Sequence, residues 1–405
     1  MVELLAPAGN LETLKTAVRY GADAVYIGGE AFSLRAGADN FSNEDMKEAV
    51  SFCHEYGRKL YVTANIFAHN EDIEPVKEYL KELKNIKPDA LLISDPGIFS
   101  LEREICPEIP VHISTQANNT NYETVRFWKK MGAERVVLGR ELSLKEIREI
   151  KDNIPEGTEI EAFVHGAMCI SYSGRCLLSN FFTGRDANRG ACTHPCRWKY
   201  AVMEENRPGE YLPIEENDRG TFLFHSKDLC MIEYLPEMIE AGIDSLKIEG
   251  RMKSELYVAS VVRTYRNAID DYNESPDKFK ENIEKYKEEI SQCTHRAFTT
   301  GFFFGKPDDS AQVYDSSSYE NDAVYLGTVK SVDPENRAFL KQKNKFLVGD
   351  NIEIMKPDGR NINTKVLKME DEKGNEMESC PHAGQLFHLT LEDVPEAGDV
   401  LRKRS

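Results

Sequence analysis

Residues Glu3 to Gly29 read ELLAPAGNLETLKTAVRYGADAVYIGG. An apolar run at Glu3–Gly9 is followed by a helical stripe at Leu11, Leu14, Ala17 and Val18, and then by a second apolar run at Ala24–Gly29. Asn10 stands where a side-chain oxygen caps a helix N-terminus, and Gly21 stands where the helix stops. This is a strand–helix–strand unit. The alternation then repeats. Apolar runs at Lys59–Ile66, Ala90–Asp95, Val111–Gln116, Arg135–Arg140, Glu159–Gly166 and Ser245–Arg251 read as six more strands. Between them lie helical patterns. One begins at Ser42 and lays Met46, Ala49, Val50 and Cys53 on its buried face. Another begins at Ser143, where Glu146 completes a capping box.

Eight strands alternating with helices predict an α/β fold of the TIM-like (β/α)₈ type. An open doubly wound sheet is the competing fold, but no GxGxxG turn follows strand one. The first seven strand starts are 21 to 35 residues apart, and the eighth follows after 86. The expected division is therefore the first seven strands in 1–166, a Cys-rich insertion in 167–244, and the last strand with C-terminal helices in 245–305. The helices begin at Ser254 and at Pro276, the second running over Asp277–Gln292. From Ala323 the pattern changes to short strands separated by Gly and Asp turns, which predicts a small antiparallel β-barrel domain over 322–405.

The chain has 405 residues, nine cysteines and a net charge of -18. It is too long for one ordinary core. That charge opposes loose binding of nucleic acid, so any RNA contact must be local. Candidates are Arg337, Lys341, Lys343 and Lys345, and the basic loops GRDANRG (184–190) and CRWK (196–199). No apolar stretch is long enough to span a bilayer, and Met1–Leu5 runs into a strand without a basic leader. These features lead us to expect a cytoplasmic protein without membrane association. In a reducing compartment an odd number of cysteines suits metal or catalysis better than disulfides.

Five of the cysteines concentrate past the seventh strand, at Cys169, Cys176, Cys192, Cys196 and Cys230. Zinc sites usually pair cysteines two to four apart, and only 192 and 196 come close. Iron–sulfur clusters accept looser spacing, because each thiolate binds a different iron. A Cys169–His165 nucleophile pair is a further reading. A second constellation is polar. Asn65, Asp95, Gln116, Arg140, Glu141, His165, Glu249 and Arg251 fall at or near the C-terminal ends of predicted strands, where barrel active sites lie. Alternation places Glu161 with His165 on one face of strand seven, and Lys247, Glu249 and Arg251 on one face of strand eight. Arg140 and Arg251 suit a carboxylate or phosphate.

At these residues the chain resembles the collagenase-like peptidases, family thirty-two of the peptidases of unassigned mechanism. The resemblance rests on Glu161, Phe163, Gly166, Ala167, Met168, Cys169, Gly174, Cys176, Leu178 and Ser179. It extends through CTHPCRWKY, RPGEYLPIEE, HSKDLCMIE and AGIDSLKIEGRMKS. It implies either proteolysis or oxygen-independent hydroxylation linked to prephenate, with a four-iron cluster held by cysteines. The ligand set it implies is Cys169, Cys176, Cys192 and Cys230, with Cys196 the alternative fourth. The layout looks most like the family's tRNA uridine hydroxylation proteins, so tRNA and a protein partner of the same family are expected. His165, Glu249, Arg251, Arg140, Asn65 and Gln116 are the candidate catalytic residues. The alternatives are a collagenase-like peptidase and a non-catalytic cluster-binding subunit of a hydroxylase heterodimer.

Overall fold

The computed structural model describes residues 1–30, 32–33, 40–169, 174–198, 201–202, 212–213, 225–306, 312–313, 321–382 and 384–404. Eight parallel strands form its larger unit: β1 Glu3–Pro7, β2 Ala24–Gly28, β3 Lys59–Ala64, β4 Ala90–Ile93, β5 Val111–Ile113, β6 Arg135–Val137, β7 Glu159–Ala167 and β8 Ser245–Ile248. Each pairs with the next, and β8 pairs with both β7 and β1, which closes the cylinder. The strands start where the apolar runs start and most end earlier than predicted. Val111–Gln116, for example, leaves the sheet after Ile113 and turns through a 3-10 segment at Thr115–Ala117. The polar ends of these runs are thereby freed from ladder pairing and build the barrel mouth.

The outer helices are α1 Leu11–Arg19, α2 Asn43–Glu55, α3 Ile73–Ile86, α4 Pro96–Ile105, α5 Tyr122–Met131 and α6 Leu144–Asn153. Asn10 accepts from the Thr13 N–H at 2.9 Å, and Ser42/Asp45 and Ser143/Glu146 form capping boxes. Asp95 accepts from the Gly97 and Ile98 N–H groups at 2.7 and 3.0 Å. It caps α4, which is a structural role.

At the base of the barrel the inward charges neutralise one another. Arg135 meets Glu3 at 2.5 Å, Glu159 at 2.6 Å and Glu161 at 3.1 Å, and Lys247 meets Glu161 at 2.7 Å. Burial alone would raise the Glu3 carboxyl, but the Arg135 guanidinium more than offsets it and holds the group below its ordinary value. Arg135, Glu161 and Lys247 are buried, which is tolerable only because each has such a partner.

Beyond β7 comes the Cys-rich segment with α7 Leu178–Thr183. The chain returns to the barrel at Asp228–Cys230, antiparallel to the end of β7, and α8 Leu235–Glu240 leads into β8. After β8 run α9 Glu255–Glu274, α10 Pro276–Glu281 and α11 Ile283–Ser291. The single helix expected over Asp277–Gln292 is thus two. They part at Asn282, whose amide bonds Asp271 and the Lys278 carbonyl instead of leaving the helix unbroken.

The C-terminal strands are β9 Ala323–Val332, β10 Ala338–Lys341, β11 Asn351–Met355, β12 Asn361–Asp371, β13 Leu386–Leu391 and β14 Val400–Arg404. They close an antiparallel barrel in the order β11–β14–β9–β10–β13–β12, with β12 returning to β11. The residues of β12 carry no continuous strand alternation in the sequence. A register shift between Val366 and Lys368 breaks its alternation.

The two units are locked together through α1, α9 and α11. The buried Tyr20 hydroxyl donates to the Met355 carbonyl at 2.6 Å and accepts from the Val400 N–H at 3.0 Å. Arg263 on α9 and Arg402 on β14 both grip Glu289 of α11, at 2.9 and 2.6 Å. No helix among the described residues is long and apolar enough to cross a membrane.

Candidate functional site: a thiol-lined pocket at the barrel mouth

A single pocket opens where the Cys-rich segment lies over the C-terminal ends of the barrel strands. Tyr26, Thr63, Leu92, Phe163 and Lys247 line it from the strands. Asn65, Gln116, Arg140, Glu249 and Arg251 line it from the strand ends, and Cys169, Cys176, Cys192 and Cys196 from the segment above. Five of the six candidate catalytic residues therefore share one cavity.

The wall is held by short-range chemistry. Arg140 donates to Glu249 and to the Ala167 carbonyl, both at 3.1 Å, and lies 3.8 Å from the centre of the Phe163 ring. This fixes the plane of the guanidinium. Arg251 is buried and donates to Thr63 Oγ1 at 3.2 Å. A Cβ on Gly28 would lie 1.9 Å from Arg251 Nη1, so the glycine is there to admit the guanidinium. Asn65 donates to Ser114 Oγ at 3.3 Å. Gln116 Oε1 is buried and meets no donor among the described residues.

The sixth candidate, His165, is not brought to this pocket, and the expectation that it shares a face with Glu161 is corrected. The β7–β8 register slips at one point: Lys247 pairs with Phe163, and Ile248 then pairs with His165. Val164 is therefore an extra residue, and the alternation inverts after it. Glu161 and Phe163 face inward, whereas His165 follows Ile248 outward. Its ring sits 6.0, 5.7 and 5.7 Å from those of Tyr257, Tyr265 and Phe298. Burial lowers its pKa to about 3. The Cys169–His165 nucleophile pair is consequently not assembled, since Cys169 lines the pocket and His165 packs on α9.

A prediction follows from that environment. Below 6.5 an unfolded histidine binds a proton that the folded one refuses, so His165 weakens folding as pH falls from 6.5 towards about 3. His165→Phe is expected to fold within about 1.5 kcal/mol of the parent and to resist acid better. Melting temperatures measured across that window check it.

Cys230 is likewise placed elsewhere. It pairs directly with His165 across the antiparallel ladder, so its side chain points to the same outer side. It stands beside the Tyr265 hydroxyl, and burial pushes its thiol up to about 11. The set implied by resemblance, with Cys230 as fourth member, is thus not the set that shares the pocket; Cys196 takes that place. Cys53, by contrast, is a core thiol on α2 as expected, pushed up to about 12 by burial.

The Cys-rich segment is clamped over the mouth. Arg189 meets Asp72 at 3.0 Å and Glu71 at 3.4 Å. The Phe67 N–H donates to the Asn188 carbonyl, and the Asn188 amide to the Cys176 carbonyl at 3.1 Å. A Cβ on Gly174 would meet the Gln116 carbonyl at 2.2 Å. The His194 N–H donates to Cys192 Sγ at 3.4 Å. Among the described residues no three Cys, His, Asp or Glu side chains converge as ligands of one ion. A four-iron cluster would take one thiolate per iron, and Cys169, Cys176, Cys192 and Cys196 are the thiols that line this cavity.

Two further placements bear on the site. Lys247 shares the pocket with Glu249 and Arg251, as the alternation along strand eight predicts. Its amine lies at the pocket floor, 4.4 Å from the centre of the Tyr26 ring. Burial lowers its pKa, with Glu161 acting against that shift. The basic cluster of the C-terminal domain is partly neutralised. Arg337 meets Asp333, Glu335 and Glu370, and Lys343 meets Glu255. Lys199 and the Arg197 side chain, both of the CRWK loop, lie outside the described residues.

Fold and site together define a (β/α)₈-barrel protein whose mouth is covered by a cysteine-bearing segment. Family comparison gives the particular family. The description "Peptidase family U32" matches residues 9–313 and "Peptidase family U32 C-terminal domain" matches 321–402. The chain belongs to peptidase family U32. It is 44% identical over 402 residues to tRNA hydroxylation protein P1 of Bacillus subtilis, covering 99% of this chain and 94% of that one. It is 39% identical over 443 residues to tRNA hydroxylation protein P of Escherichia coli, covering 100% and 96%. It is also 38% identical over 280 residues to a collagenase of Porphyromonas gingivalis, covering 67% and 66%.

Proposed function

We propose that this protein is an RNA-modifying enzyme that hydroxylates a tRNA uridine without molecular oxygen, in the reducing interior of the cell. The observation that carries this reading is the convergence of four thiols and two arginines on one pocket, in a chain that matches tRNA hydroxylation proteins over nearly its whole length. Replacing a ring hydrogen of uracil by hydroxyl withdraws an electron pair from the base. The displaced hydrogen leaves as a proton, and an iron–sulfur cluster held by Cys169, Cys176, Cys192 and Cys196 would pass the two electrons, one at a time, to an external one-electron carrier.

The chain's own residues account for the rest. Arg140 and Arg251 would hold an anionic hydroxyl donor, for which a dicarboxylate of the prephenate type is the proposal. Glu249 orients Arg140 through their 3.1 Å contact. Gln116 Oε1 offers an acceptor suited to the imino N–H of uracil. Asn65, tied to Ser114, lines the same wall. A protein partner of the same family would be an addition to this chemistry rather than a requirement of the pocket.

Nucleoside mass spectrometry of tRNA tests the reading. Cells lacking this protein and any paralogue are expected to lose hydroxylated wobble uridine and to regain it with the wild-type gene. Unchanged hydroxylation in the deletion would overturn it. Gly28→Ala is expected to lower restored activity about a hundredfold by displacing Arg251. Iron content of the purified variant, compared with the parent, checks that the loss arises from the arginine rather than the thiols.

A further inference from the structure

We propose that the outer face of α7, with Trp198, is a shelf on which an unpaired RNA base stacks beside the pocket. This rests on the tRNA reading above and deepens it. Leu177, Phe181, Phe182 and Trp198 are 69%, 82%, 43% and 44% exposed. Single exposed apolar side chains need no explanation, but four on one short segment do. The rings are arranged as a group: Phe181 and Phe182 meet edge to face at 5.2 Å, and Phe182 lies 6.3 Å from Trp198.

The shelf is rigidly set. Ser179 and Thr183, one turn apart on α7, both bond Thr193 Oγ1, at 3.0 and 3.1 Å, and the Thr193 N–H donates to Ser179 Oγ at 3.0 Å. These contacts pin the inner face of the helix to the Cys192–Cys196 loop and leave its aromatic side outward. Leu178 on the same helix lines the pocket, as do Cys176, Cys192 and Cys196 around it. The aromatic surface is therefore continuous with the pocket rim.

Charge selects the occupant. Residues 174–198 carry four arginines, at 175, 185, 189 and 197, against one carboxylate, Asp186, in a chain of net charge -18, and of these Arg189 is taken up by Asp72 and Glu71. Arg175 and Arg185 are exposed. An apolar shelf for another protein needs no such local reversal of sign. Exposed rings among arginines are what a single-stranded nucleic acid requires: faces for its bases and cations for its phosphates.

Fluorescence anisotropy with the full chain tests this, using a labelled RNA hairpin with a uridine-containing loop and a fully paired duplex as control. Phe181→Ala is expected to weaken hairpin binding about tenfold, to leave duplex binding unchanged, and to leave the melting temperature unchanged because the ring is exposed. Phe181→Trp is expected to restore hairpin affinity. Equal hairpin affinity in the parent and Phe181→Ala overturns the shelf alone. A parent that binds no hairpin overturns the shelf together with the tRNA reading. A dimer that becomes monomeric in Phe181→Ala, with hairpin affinity unchanged, assigns the face to a second copy and overturns the shelf.

Discussion

Cys196→Ala is expected to lose most of its iron when purified without oxygen, whereas Cys230→Ala keeps it. In the proposed ligand set the two residues compete for one place, and the fold separates them. Cys196 lines the pocket with Cys169, Cys176 and Cys192. Cys230 is paired with His165 on the outer side of β7, beside Tyr265, with its thiol pushed up to about 11. Iron would deprotonate either thiol, so position decides between them, and it is Cys196 that lines the cavity. Iron and sulfide analysis, with the visible spectrum, reads the difference. Iron retained in Cys196→Ala and lost in Cys230→Ala would reverse the assignment and require the end of β7 to reorganise on cluster binding.

Glu289→Leu is expected to cost about 3–5 kcal/mol of stability and to separate the C-terminal barrel from the larger one. Glu289 lies between Arg263 and Arg402, which are 2% and 0% exposed at the side chain. Arg402 retains Glu353 at 2.5 Å in the variant. Arg263 keeps its bonds to the Lys356 and Arg360 carbonyls and to the Asn361 amide oxygen. A buried guanidinium without a counter-charge is the costly state. The same site sets a pH dependence. Burial would raise Glu289, but the arginines overcome it and hold the carboxyl below its ordinary 4.5. A depressed folded value means the contribution is present above 4.5 and is lost as pH falls through the lower, folded value. Chemical denaturation at neutral pH and on acidification measures both effects. A variant as stable as the parent would show the ion cluster to be dispensable.

The barrel was legible because strand starts carry a chemical mark, an apolar run following a turn, and because the helices after β1, β2 and β6 have caps written in Asn10, Ser42 and Ser143. Strand ends were not, since Gln116 and Arg140 continue an extended pattern that the chain abandons after Ile113 and Val137. The site was legible to the extent that alternation held. It held along β8, which sends Lys247, Glu249 and Arg251 inward together. It failed along β7, where one inserted residue turned His165 away, and a bulge of that kind leaves no mark in residue type. The bulge in β12 concealed that strand for the same reason. Cys230 enters the ligand set through the family resemblance, and no residue pattern in the sequence marks that the segment carrying it pairs with the end of β7 in the barrel wall.

The account depends on iron held at the barrel mouth being what the enzyme uses. Anaerobic purification of the wild-type chain, followed by iron and sulfide quantification and a hydroxylation assay on tRNA from deletion cells, tests it most directly. The predicted result is about four iron and four sulfide per chain, with activity that falls in step with iron in Cys176→Ala. A protein free of iron that hydroxylates the tRNA at the full rate would contradict it.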